Sequence, residues 1–550
     1  MKTNIRDFAA TKGSPSSPLV LDALIVGAGF SGVYCLYEIR KLGLKTAIFE
    51  AASDFGGIWR WNCYPGAGVD SESLEYQFSM PEVYKTWNWS SNYPKYDELR
   101  RYFEHVSETL DIRKDCVFGV VVVSAEFNQE SGRWIITTQD GRQATAKYLI
   151  VGGGFAIKRH IPDWPGLDSF KGEIHHSSFW PENGVETRGK RCAIIGTGAT
   201  GVQLTQALGP VAGSLTVFQR TPNTALPLRR RPYTAEEQHH LKSVYPELFR
   251  LRERCFGGLL YAWSERTLGE DSDLEREAFL DDLYNQGGLR YWLANYKDIL
   301  FSPESNRAVY DFWARKVRAR IQDEKLRDLL APLDPPHAFG VKRPTLEVDY
   351  YEQFSRPNVH LVDVRDNPIS RITETGLQLA DGTQHDFDVI CIATGFDTST
   401  GGLRDMGLRD INGTALQDQW KDSVATYLGL GISGYPNFFF TYGPHGPSAF
   451  SNAPSTIEVQ GRWIADAIKL MERKGIKSIN PKLEAQQTWK EKIDALSNTS
   501  LVPTVASTWM GGTFPGKPHE QLNYTAGLPA YVNGIRGVLP GFEGYSVEYQ

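Results

Sequence analysis

Residues Leu21–Val26 form a short apolar run that ends in Gly27-Ala28-Gly29-Phe30-Ser31-Gly32 and is the clearest indication of the fold. A strand pattern, a GxGxxG turn and a helical pattern to about Leu42 follow one another, which is typical of a dinucleotide-binding βα unit. The first glycine makes the turn, the second lets backbone approach a pyrophosphate, and the third lets the helix pack on the strand. The helix N-terminus supplies N–H groups for the phosphates. The stretch therefore predicts a Rossmann-like unit.

The same pattern occurs a second time, where the apolar run Arg191–Ile195 ends in Gly196-Thr197-Gly198-Ala199-Thr200-Gly201. A helical pattern follows this turn to about Leu208. A glycine-rich turn without a ligand is a weaker explanation for two copies that both stand between a strand and a helix. We therefore predict an α/β fold with two Rossmann-like dinucleotide-binding domains.

The residue that ends the second strand of each unit indicates which nucleotide binds there. Glu50 ends this strand in the first unit, and a carboxylate accepts hydrogen bonds from a ribose diol while repelling a 2′-phosphate. Arg220, followed by Thr221, stands at the matching point of the second unit, where a guanidinium suits a 2′-phosphate. The first unit therefore fits FAD or NAD and the second fits NADP. Together they predict a flavoprotein that is reduced by NADPH.

The chain between and after these units predicts that both domains are discontinuous. Val117–Phe127 is predicted as one strand, and from about Thr234 to Leu330 charged segments of helical period, such as Ala308–Ile321, indicate a helical insertion. We divide the chain into the first part of the FAD-binding domain (1–150), the first part of the NADP-binding domain (151–225), the helical insertion (226–335), the second part of the NADP-binding domain (336–392), and the second part of the FAD-binding domain with the C-terminal tail (393–550).

Composition argues against several classes of protein. The formal net charge of the 550 residues is −6 and no long basic tract occurs, so we expect no nucleic-acid partner. The sequence contains no run of 18 or more apolar residues, so no membrane span is predicted. The six cysteines include no CxxC pair, which argues against a disulfide framework, a zinc site or a dithiol redox centre. We expect a cytoplasmic protein without a metal site.

Two further motifs carry a family resemblance. The segment from Phe170 to Pro181 fits FxGxxxHxxxWP, and the segment from Gly56 to Asp70 fits GGxWxxxxYPGxxxD. Both resemble the signatures of type I Baeyer–Villiger monooxygenases, and the resemblance runs from about residue 20 to 545. It continues through Lys342-Arg343-Pro344, Ala393–Asp397, Ser507-Thr508-Trp509 and Pro515-Gly516-Lys517-Pro518. Three segments look most like the large-ring, cyclopentadecanone-type branch: Trp61-Asn62-Cys63-Tyr64, Tyr442-Gly443-Pro444 and Leu522–Tyr531.

The resemblance implies that Arg343 is the principal catalytic residue, because the active-site arginine of the family falls in this Lys-Arg pair. Without the resemblance, a surface or salt-bridged arginine is the commoner explanation. In the family's chemistry dioxygen adds to reduced flavin at C4a, and the peroxide attacks a ketone as an anion. A guanidinium keeps its charge and can hold that anion and the oxyanion of the tetrahedral adduct. Asp70 is implied to pair with Arg343 and orient it, the alternative being a turn cap.

The fixed positions of the FxGxxxHxxxWP motif, called the fingerprint below, are Phe170, Gly172, His176, Trp180 and Pro181. A lone histidine has three possible roles, as a base, a metal ligand or a structural hydrogen-bonding group. A metal role is disfavoured because no partner ligands cluster with His176. We favour an interdomain role that couples cofactor movement to turnover.

The resemblance also implies which other residues contact the cofactors. Lys342 fits the 2′-phosphate of NADP beside Arg220, and Trp509 matches a residue that packs on NADP. One departure is Gly68, where many relatives carry arginine two residues before the aspartate. The remaining predicted contacts with FAD are Ile58, Trp59, Tyr76, Val122 and Ala453. Gly57, Arg60 and Trp61 in the same segment, and Val202 and Gln203 beside the second turn, are predicted as further cofactor contacts.

These observations predict an NADPH- and dioxygen-dependent flavin monooxygenase that converts ketones, cyclic or bulky ones in particular, to esters or lactones. A monooxygenase that oxidises sulfur or nitrogen is the alternative, and Trp180 with Pro181 argues against it. A flavoprotein disulfide reductase is disfavoured by the missing CxxC pair, and a non-catalytic NADPH-binding protein by Asp70 together with Arg343.

Overall fold

The computed structural model describes residues 18–505 and 520–549. The strands are β1 (Leu19–Val26), β2 (Thr46–Glu50), β3 (Cys116–Phe118), β4 (Val122–Asn128), β5 (Arg133–Thr138), β6 (Gln143–Val151), β7 (Lys158–Arg159), β8 (Glu173–His176), β9 (Arg191–Ile195), β10 (Ser214–Gln219), β11 (Leu226–Pro227), β12 (Leu346–Glu347), β13 (Val359–Asp363), β14 (Ile369–Ile372), β15 (Gly376–Leu379), β16 (Gln384–Asp386), β17 (Val389–Ile392), β18 (Phe396–Asp397), β19 (Leu408–Arg409), β20 (Phe438–Phe440), β21 (Ile476–Pro481) and β22 (Tyr545–Tyr549). The helices are α1 (Phe30–Arg40), α2 (Ile58–Trp61), α3 (Pro81–Tyr84), α4 (Tyr96–Thr109), α5 (Ala199–Leu208), α6 (Ala235–Arg252), α7 (Asp273–Gln286), α8 (Arg290–Leu293), α9 (Pro303–Arg318), α10 (Glu324–Leu330), α11 (Tyr350–Gln353), α12 (Gly401–Arg404), α13 (Leu416–Gln419), α14 (Ala453–Lys474), α15 (Leu483–Asn498) and α16 (Leu528–Val538).

The first glycine-rich turn belongs to an eight-stranded sheet of order β19-β4-β5-β6-β1-β2-β3, in which β20 also pairs with β6. Strand β1 runs parallel to β2 and β6, while β4, β5 and β6 pair antiparallel in sequence. Ile25 of β1 stands opposite Ile48 and Ile150, and all three are fully buried. Apolar strands covered on both faces are typical of parallel α/β sheets.

The second glycine-rich turn belongs to a five-stranded sheet of order β13-β10-β9-β17-β8, and every pairing in it is parallel. Its strands are drawn from both sides of the helical segment, since β8, β9 and β10 precede α6 whereas β13 and β17 follow α10. A three-stranded antiparallel sheet, β14-β15-β16, contributes Ile372 and Leu377 to the same core. The predicted α/β fold with two Rossmann-like units agrees with these two sheets.

Helices α6 to α10 occupy the segment predicted to be helical. In α9, Val309, Trp313 and Val317 are buried on one face, which is the spacing of an amphipathic helix. The helix begins earlier than the predicted Ala308–Ile321, because the Ser302 side chain accepts a hydrogen bond from the Ser305 N–H and caps the first turn.

The prediction of one strand over Val117–Phe127 is wrong. The structure divides it into β3 and β4, because Gly119 between them has φ of +69°, a left-handed conformation that interrupts a strand. Val122 therefore begins β4, and this position brings it to the cavity described below.

Within residues 18–505 and 520–549, no helix is long and apolar enough to cross a membrane. Over the same ranges no group of three or more His, Cys, Asp or Glu side chains is arranged to hold a metal ion. The six cysteines all lie in these ranges as free thiols.

Candidate active site

The first glycine-rich turn is built so that only glycine fits at its first and last positions. Gly27 has φ of +100°, and a Cβ placed on it would lie 2.5 Å from the carbonyl oxygen of Gly152. A Cβ on Gly32 would lie 1.7 Å from the carbonyl oxygen of Gly27. Helix α1 therefore packs tightly against β1, and its N-terminus faces the carboxyl edge of the sheet. Such a helix end binds anions such as a pyrophosphate.

The second turn repeats this construction. Gly196 has φ of +111°, and a Cβ on Gly201 would lie 2.1 Å from the Gly196 carbonyl oxygen. Gly198 differs, because a Cβ there meets no described atom within 4 Å. The middle glycine of this turn therefore faces open space, as close approach of a phosphate requires.

One cavity of about 880 Å³ extends between the two turns. It is lined by most of the predicted site residues: Gly27, Gly29, Phe30, Ser31, Glu50, Gly57, Ile58, Trp59, Trp61, Asp70, Tyr76, Val122, Gly198, Ala199, Thr200, Gln203, Lys342, Arg343 and Ala453. Other predicted residues do not line it, namely Gly32, Arg60, Thr197, Gly201, Val202, Arg220 and Thr221. Trp509, together with the predicted motifs at 507–508 and 515–518, lies outside the described residues.

Glu50 lies at the end of β2 and is 5% exposed. Its two carboxylate oxygens accept hydrogen bonds from the backbone N–H groups of Ala28 at 2.5 Å and Ala52 at 2.6 Å. Burial raises the pKa of Glu50, and these backbone hydrogen bonds oppose the change. The side chain is thus held against the glycine turn at the cavity wall.

The second nucleotide unit presents two unpaired cations. Lys342 lines the cavity, and Arg220 directly follows the last residue of β10. The pKa of Lys342 is lowered by burial and by the positive charge of Arg220. Neither cation forms an ion pair with a carboxylate in residues 18–505 and 520–549. Nearby, the Thr197 hydroxyl donates to the Thr221 carbonyl at 2.7 Å and fixes the turn. Two neighbouring cations that repel each other are able to bind a dianion such as a phosphate monoester.

Arg343 and Asp70 meet in the cavity although 273 residues separate them. The Arg343 Nε donates to Asp70 Oδ2 at 2.7 Å, and Nη2 donates to Oδ1 at 2.8 Å. The Nη1 donates to the Ala449 carbonyl at 2.9 Å. Burial alone would lower the pKa of Arg343, but Asp70 outweighs it and the pKa is raised. The guanidinium is thus a fixed, permanent cation with two of its five N–H groups left for a ligand.

Aromatic side chains line the cavity beside the first turn. The Trp59 indole N–H donates to the Tyr76 hydroxyl at 3.1 Å, with the two rings 5.9 Å apart and nearly perpendicular. Trp61 packs edge-to-face on Phe179 at 5.8 Å. Arg60 does not line the cavity and forms an ion pair with Glu182 at 2.9 Å.

The fingerprint segment joins the second sheet to the cavity wall. His176 is 1% exposed, and its Nδ1 accepts a hydrogen bond from the Ser178 backbone N–H at 3.2 Å. The proton therefore resides on Nε2, which donates to the Gly395 carbonyl at 3.2 Å. Burial, and then Arg159, lower the pKa of His176 to about 4. A neutral histidine thus holds the turn at Gly395, which lines the cavity.

The other fingerprint residues pack against neighbouring segments of the protein. Trp180 is 1% exposed and its carbonyl accepts a hydrogen bond from the Cys63 thiol at 3.3 Å. Pro181 lies next to this contact. A Cβ on Gly172 would lie 2.5 Å from the Asp388 carbonyl oxygen and 2.6 Å from the Phe170 ring. The motif therefore fixes the path of the chain beside β8.

Gln203 was predicted beside the second turn, but its contacts were not, and Tyr442 was not among the predicted contact residues. Gln203 accepts a hydrogen bond from the Tyr64 hydroxyl at 2.7 Å and donates to the Gly68 carbonyl at 3.0 Å, which ties α5 to the segment before Asp70. Tyr442 lines the cavity with φ of +52°, and its hydroxyl donates to the Ser448 carbonyl at 2.7 Å. The Gln203 contacts join segments that are 139 and 135 residues apart in the chain, so no local pattern predicts them.

Comparison with known proteins identifies the family. A flavin-binding monooxygenase-like family model matches residues 22–227. The FAD-binding monooxygenase acrE of Aspergillus aculeatus is 56% identical over 550 residues, covering 100% of this chain and 93% of that protein. Cyclopentanone 1,2-monooxygenase of Comamonas sp. is 42% identical, covering 96% of each chain. A Baeyer-Villiger monooxygenase of Pseudooceanicola batsensis is 36% identical, covering 96% of this chain and 95% of that one.

This chain belongs to the type I Baeyer–Villiger monooxygenase family. A crystal structure of OTEMO in complex with FAD and NADP superposes with a TM-score of 0.92 at 36% identity, covering 97% of this chain and 100% of that one. The predicted fold class is confirmed. The prediction of an FAD-dependent Baeyer–Villiger monooxygenase with NADP(H) as second cofactor is confirmed as well.

Proposed function

We propose that this protein oxidises a ketone to an ester or lactone with NADPH and dioxygen, and that Arg343 and Asp70 carry the catalytic roles. The observation that supports this most directly is the two-bond pairing of Arg343 with Asp70, at 2.7 and 2.8 Å, in the wall of the cavity between the two nucleotide turns. When bound, the flavin supplies the oxygen-transfer chemistry.

The cavity fits these cofactors in its backbone and its charges. The glycines at 27, 29 and 57 leave a cradle that side chains would fill, since a Cβ on Gly57 would lie 2.9 Å from the Gly29 Cα. We assign FAD to this cradle and to the walls formed by Trp59 and Tyr76. The open space at Gly198 and the unpaired cations Lys342 and Arg220 suit NADPH. The division into discontinuous FAD- and NADP-binding domains with a helical insertion follows the same assignment.

Arg343 acts by holding charge at the reacting carbonyl. Its two unengaged N–H groups donate hydrogen bonds to the ketone oxygen, which becomes negative when the carbonyl carbon is attacked. Asp70 engages the opposite edge of the guanidinium, so the fork cannot rotate away. The apolar and aromatic walls exclude water, which strengthens the interaction between the cation and the oxyanion.

His176 is proposed as a residue that couples the two nucleotide units. Its hydrogen bond to Gly395 links β8 of the second sheet to the turn at the cavity. A shift of the second sheet would therefore move this turn.

We propose a cyclic ketone as the substrate, and the relative named for cyclopentanone supports this. The finer proposal, a large-ring substrate, rests on the resemblance of the segments at 61–64, 442–444 and 522–531. A cytoplasmic location is proposed from the absence of CxxC pairs in the sequence.

The deciding experiment is aerobic turnover of the purified holoenzyme with NADPH, ¹⁸O₂ and ketones from cyclopentanone to cyclopentadecanone. Products are identified by mass against authentic lactones, and hydrogen peroxide is quantified. Lactone with one labelled atom is expected. If NADPH oxidation with the ketones yields only hydrogen peroxide, while a sulfide is oxidised cleanly, the result would instead support the alternative of a heteroatom monooxygenase.

A further inference from the structure

Most charged side chains that line the cavity are already paired within the protein. The five carboxylates all have partners: Glu50 with backbone N–H groups, Asp70 with Arg343, Glu347 with Arg320, Asp349 with Gln353, and Asp405 with Lys158. The five lining cations are Lys95, Lys158, Arg230, Lys342 and Arg343. Two of these are paired with the carboxylates just named, so Lys95, Arg230 and Lys342 have no carboxylate partner among the described residues. Lys342 lies beside Arg220 and is assigned to the cofactor phosphate, which leaves Lys95 and Arg230 without a role.

These two cations lie on neighbouring segments of one wall. The backbone N–H of Asn92 donates to the Arg231 carbonyl at 3.1 Å, so the segments that carry Lys95 and Arg230 run side by side. Both side chains are exposed, which places them where the cavity opens to solvent. Among the residues that the structure describes, Arg230 makes one long hydrogen bond, from Nε to the Ser91 hydroxyl at 3.4 Å, so no described group engages its terminal nitrogens.

The wall that carries Lys95 is also the wall that carries Asp70. A Cβ on Gly68 would lie 3.8 Å from the Lys95 Cγ, so the lysine stem runs over the space that a side chain at 68 would fill. Asp70 is two residues further along and holds Arg343. A substrate whose carbonyl lies at Arg343 therefore has Lys95 and Arg230 on the same wall, toward solvent.

We propose that the substrate is a ketone that bears an anionic group, in the simplest case a carboxylate, and that Lys95 and Arg230 bind this group while its carbonyl lies at Arg343. The proposal rests on the proposed function. An arginine fork and a lysine ammonium suit a carboxylate, and cations at a cavity mouth also steer an anionic ligand inward.

The test compares two probes that differ in charge at one position, 2-oxocyclopentaneacetate and its methyl ester. The readout is the ratio of kcat/KM for the acid to that for the ester. The wild-type holoenzyme should favour the acid. The double variant Lys95→Met/Arg230→Met should lower the ratio about tenfold, and either single variant about threefold. Added salt should lower the wild-type ratio because it screens exposed charges.

Arg231→Met is the matched control, since Arg231 is an adjacent exposed arginine that pairs with Glu237 at 2.8 Å and does not line the cavity. It should keep the wild-type ratio. An unchanged ratio in the double variant would overturn the proposal. So would a raised KM for NADPH at a constant ratio, because the two cations would then serve the cofactor.

Failure of the proposed function has a different signature. In that case no ketone, neutral or charged, yields ester or lactone. If neutral ketones are oxidised but the acid has no advantage, the inference about Lys95 and Arg230 fails alone. Calorimetric binding of the acid to wild type and to the double variant provides the same comparison without turnover, and equal affinities would count against the inference.

Discussion

Replacing Arg343 with alanine tests the catalytic assignment most directly. Three of the five guanidinium N–H groups are engaged, with Asp70 at 2.7 and 2.8 Å and with the Ala449 carbonyl at 2.9 Å, so two remain for the substrate oxygen. Loss of one donor to a developing oxyanion costs about 10²- to 10³-fold in rate, or roughly 3–4 kcal/mol. Arg343→Ala should therefore lower ester formation by at least this factor.

The assay must separate ester formation from NADPH oxidation. We expect Arg343→Ala to continue consuming NADPH and to release hydrogen peroxide, because the predicted cofactor cradle does not depend on this side chain alone. Arg343→Lys keeps the charge but not the fork that matches the Asp70 carboxylate, so it should retain part of the activity. Asp70→Asn should fall between wild type and Arg343→Ala. A folded, flavin-loaded Arg343→Ala protein that forms ester within threefold of wild type would refute the reasoning.

Three further predictions concern the nucleotide units and pH. Lys342→Met should raise KM for NADPH about tenfold and change KM for NADH far less, because we assign the lost cation to the 2′-phosphate; equal changes would contradict this. Gly201→Ala should destabilise the protein in a thermal melt, since its Cβ would lie 2.1 Å from the Gly196 carbonyl oxygen, whereas Gly198→Ala, which meets no described atom within 4 Å, should melt like wild type. The pKa of His176 is lowered to about 4 from 6.5, so its contribution to stability is fully present above pH 6.5 and is lost as the pH falls toward 4. This loss is of the order of 3 kcal/mol. The free energy of unfolding in urea, measured between pH 7.5 and 5, should depend less on pH in His176→Gln than in wild type. Identical pH dependences would exclude the effect.

The two glycine-rich turns illustrate what could be predicted from sequence. Their positive φ angles and forbidden Cβ positions are requirements of a strand, a turn and a helix that are adjacent in the chain. The same holds for Glu50 and Arg220, whose positions at strand ends follow from counting residues. The break at Gly119 shows the limit of this reasoning, because an apolar run does not reveal that one glycine adopts a left-handed conformation.

The charge pattern of the cavity could not be predicted in the same way. No local pattern predicts the contact between Tyr64 and Gln203. Likewise, nothing in the sequence near Lys95 indicates that the segment of Arg230 runs alongside. The family resemblance indicated Asp70 and Arg343, yet only the folded structure shows that both carboxylate oxygens of Asp70 accept hydrogen bonds from Arg343.

The sequence alone was enough to predict two dinucleotide units, an opposite nucleotide preference for each, and the family, because these predictions depend on short segments whose backbone geometry is dictated by neighbouring residues. Only the folded structure shows how the units face each other, which cavity cations lack a carboxylate partner among the described residues, and that His176 contacts Gly395, 219 residues away. These features arise from packing between segments far apart in the chain. Burial and pairing then select which side chains keep charge available for a ligand, and that selection exists only in the folded molecule.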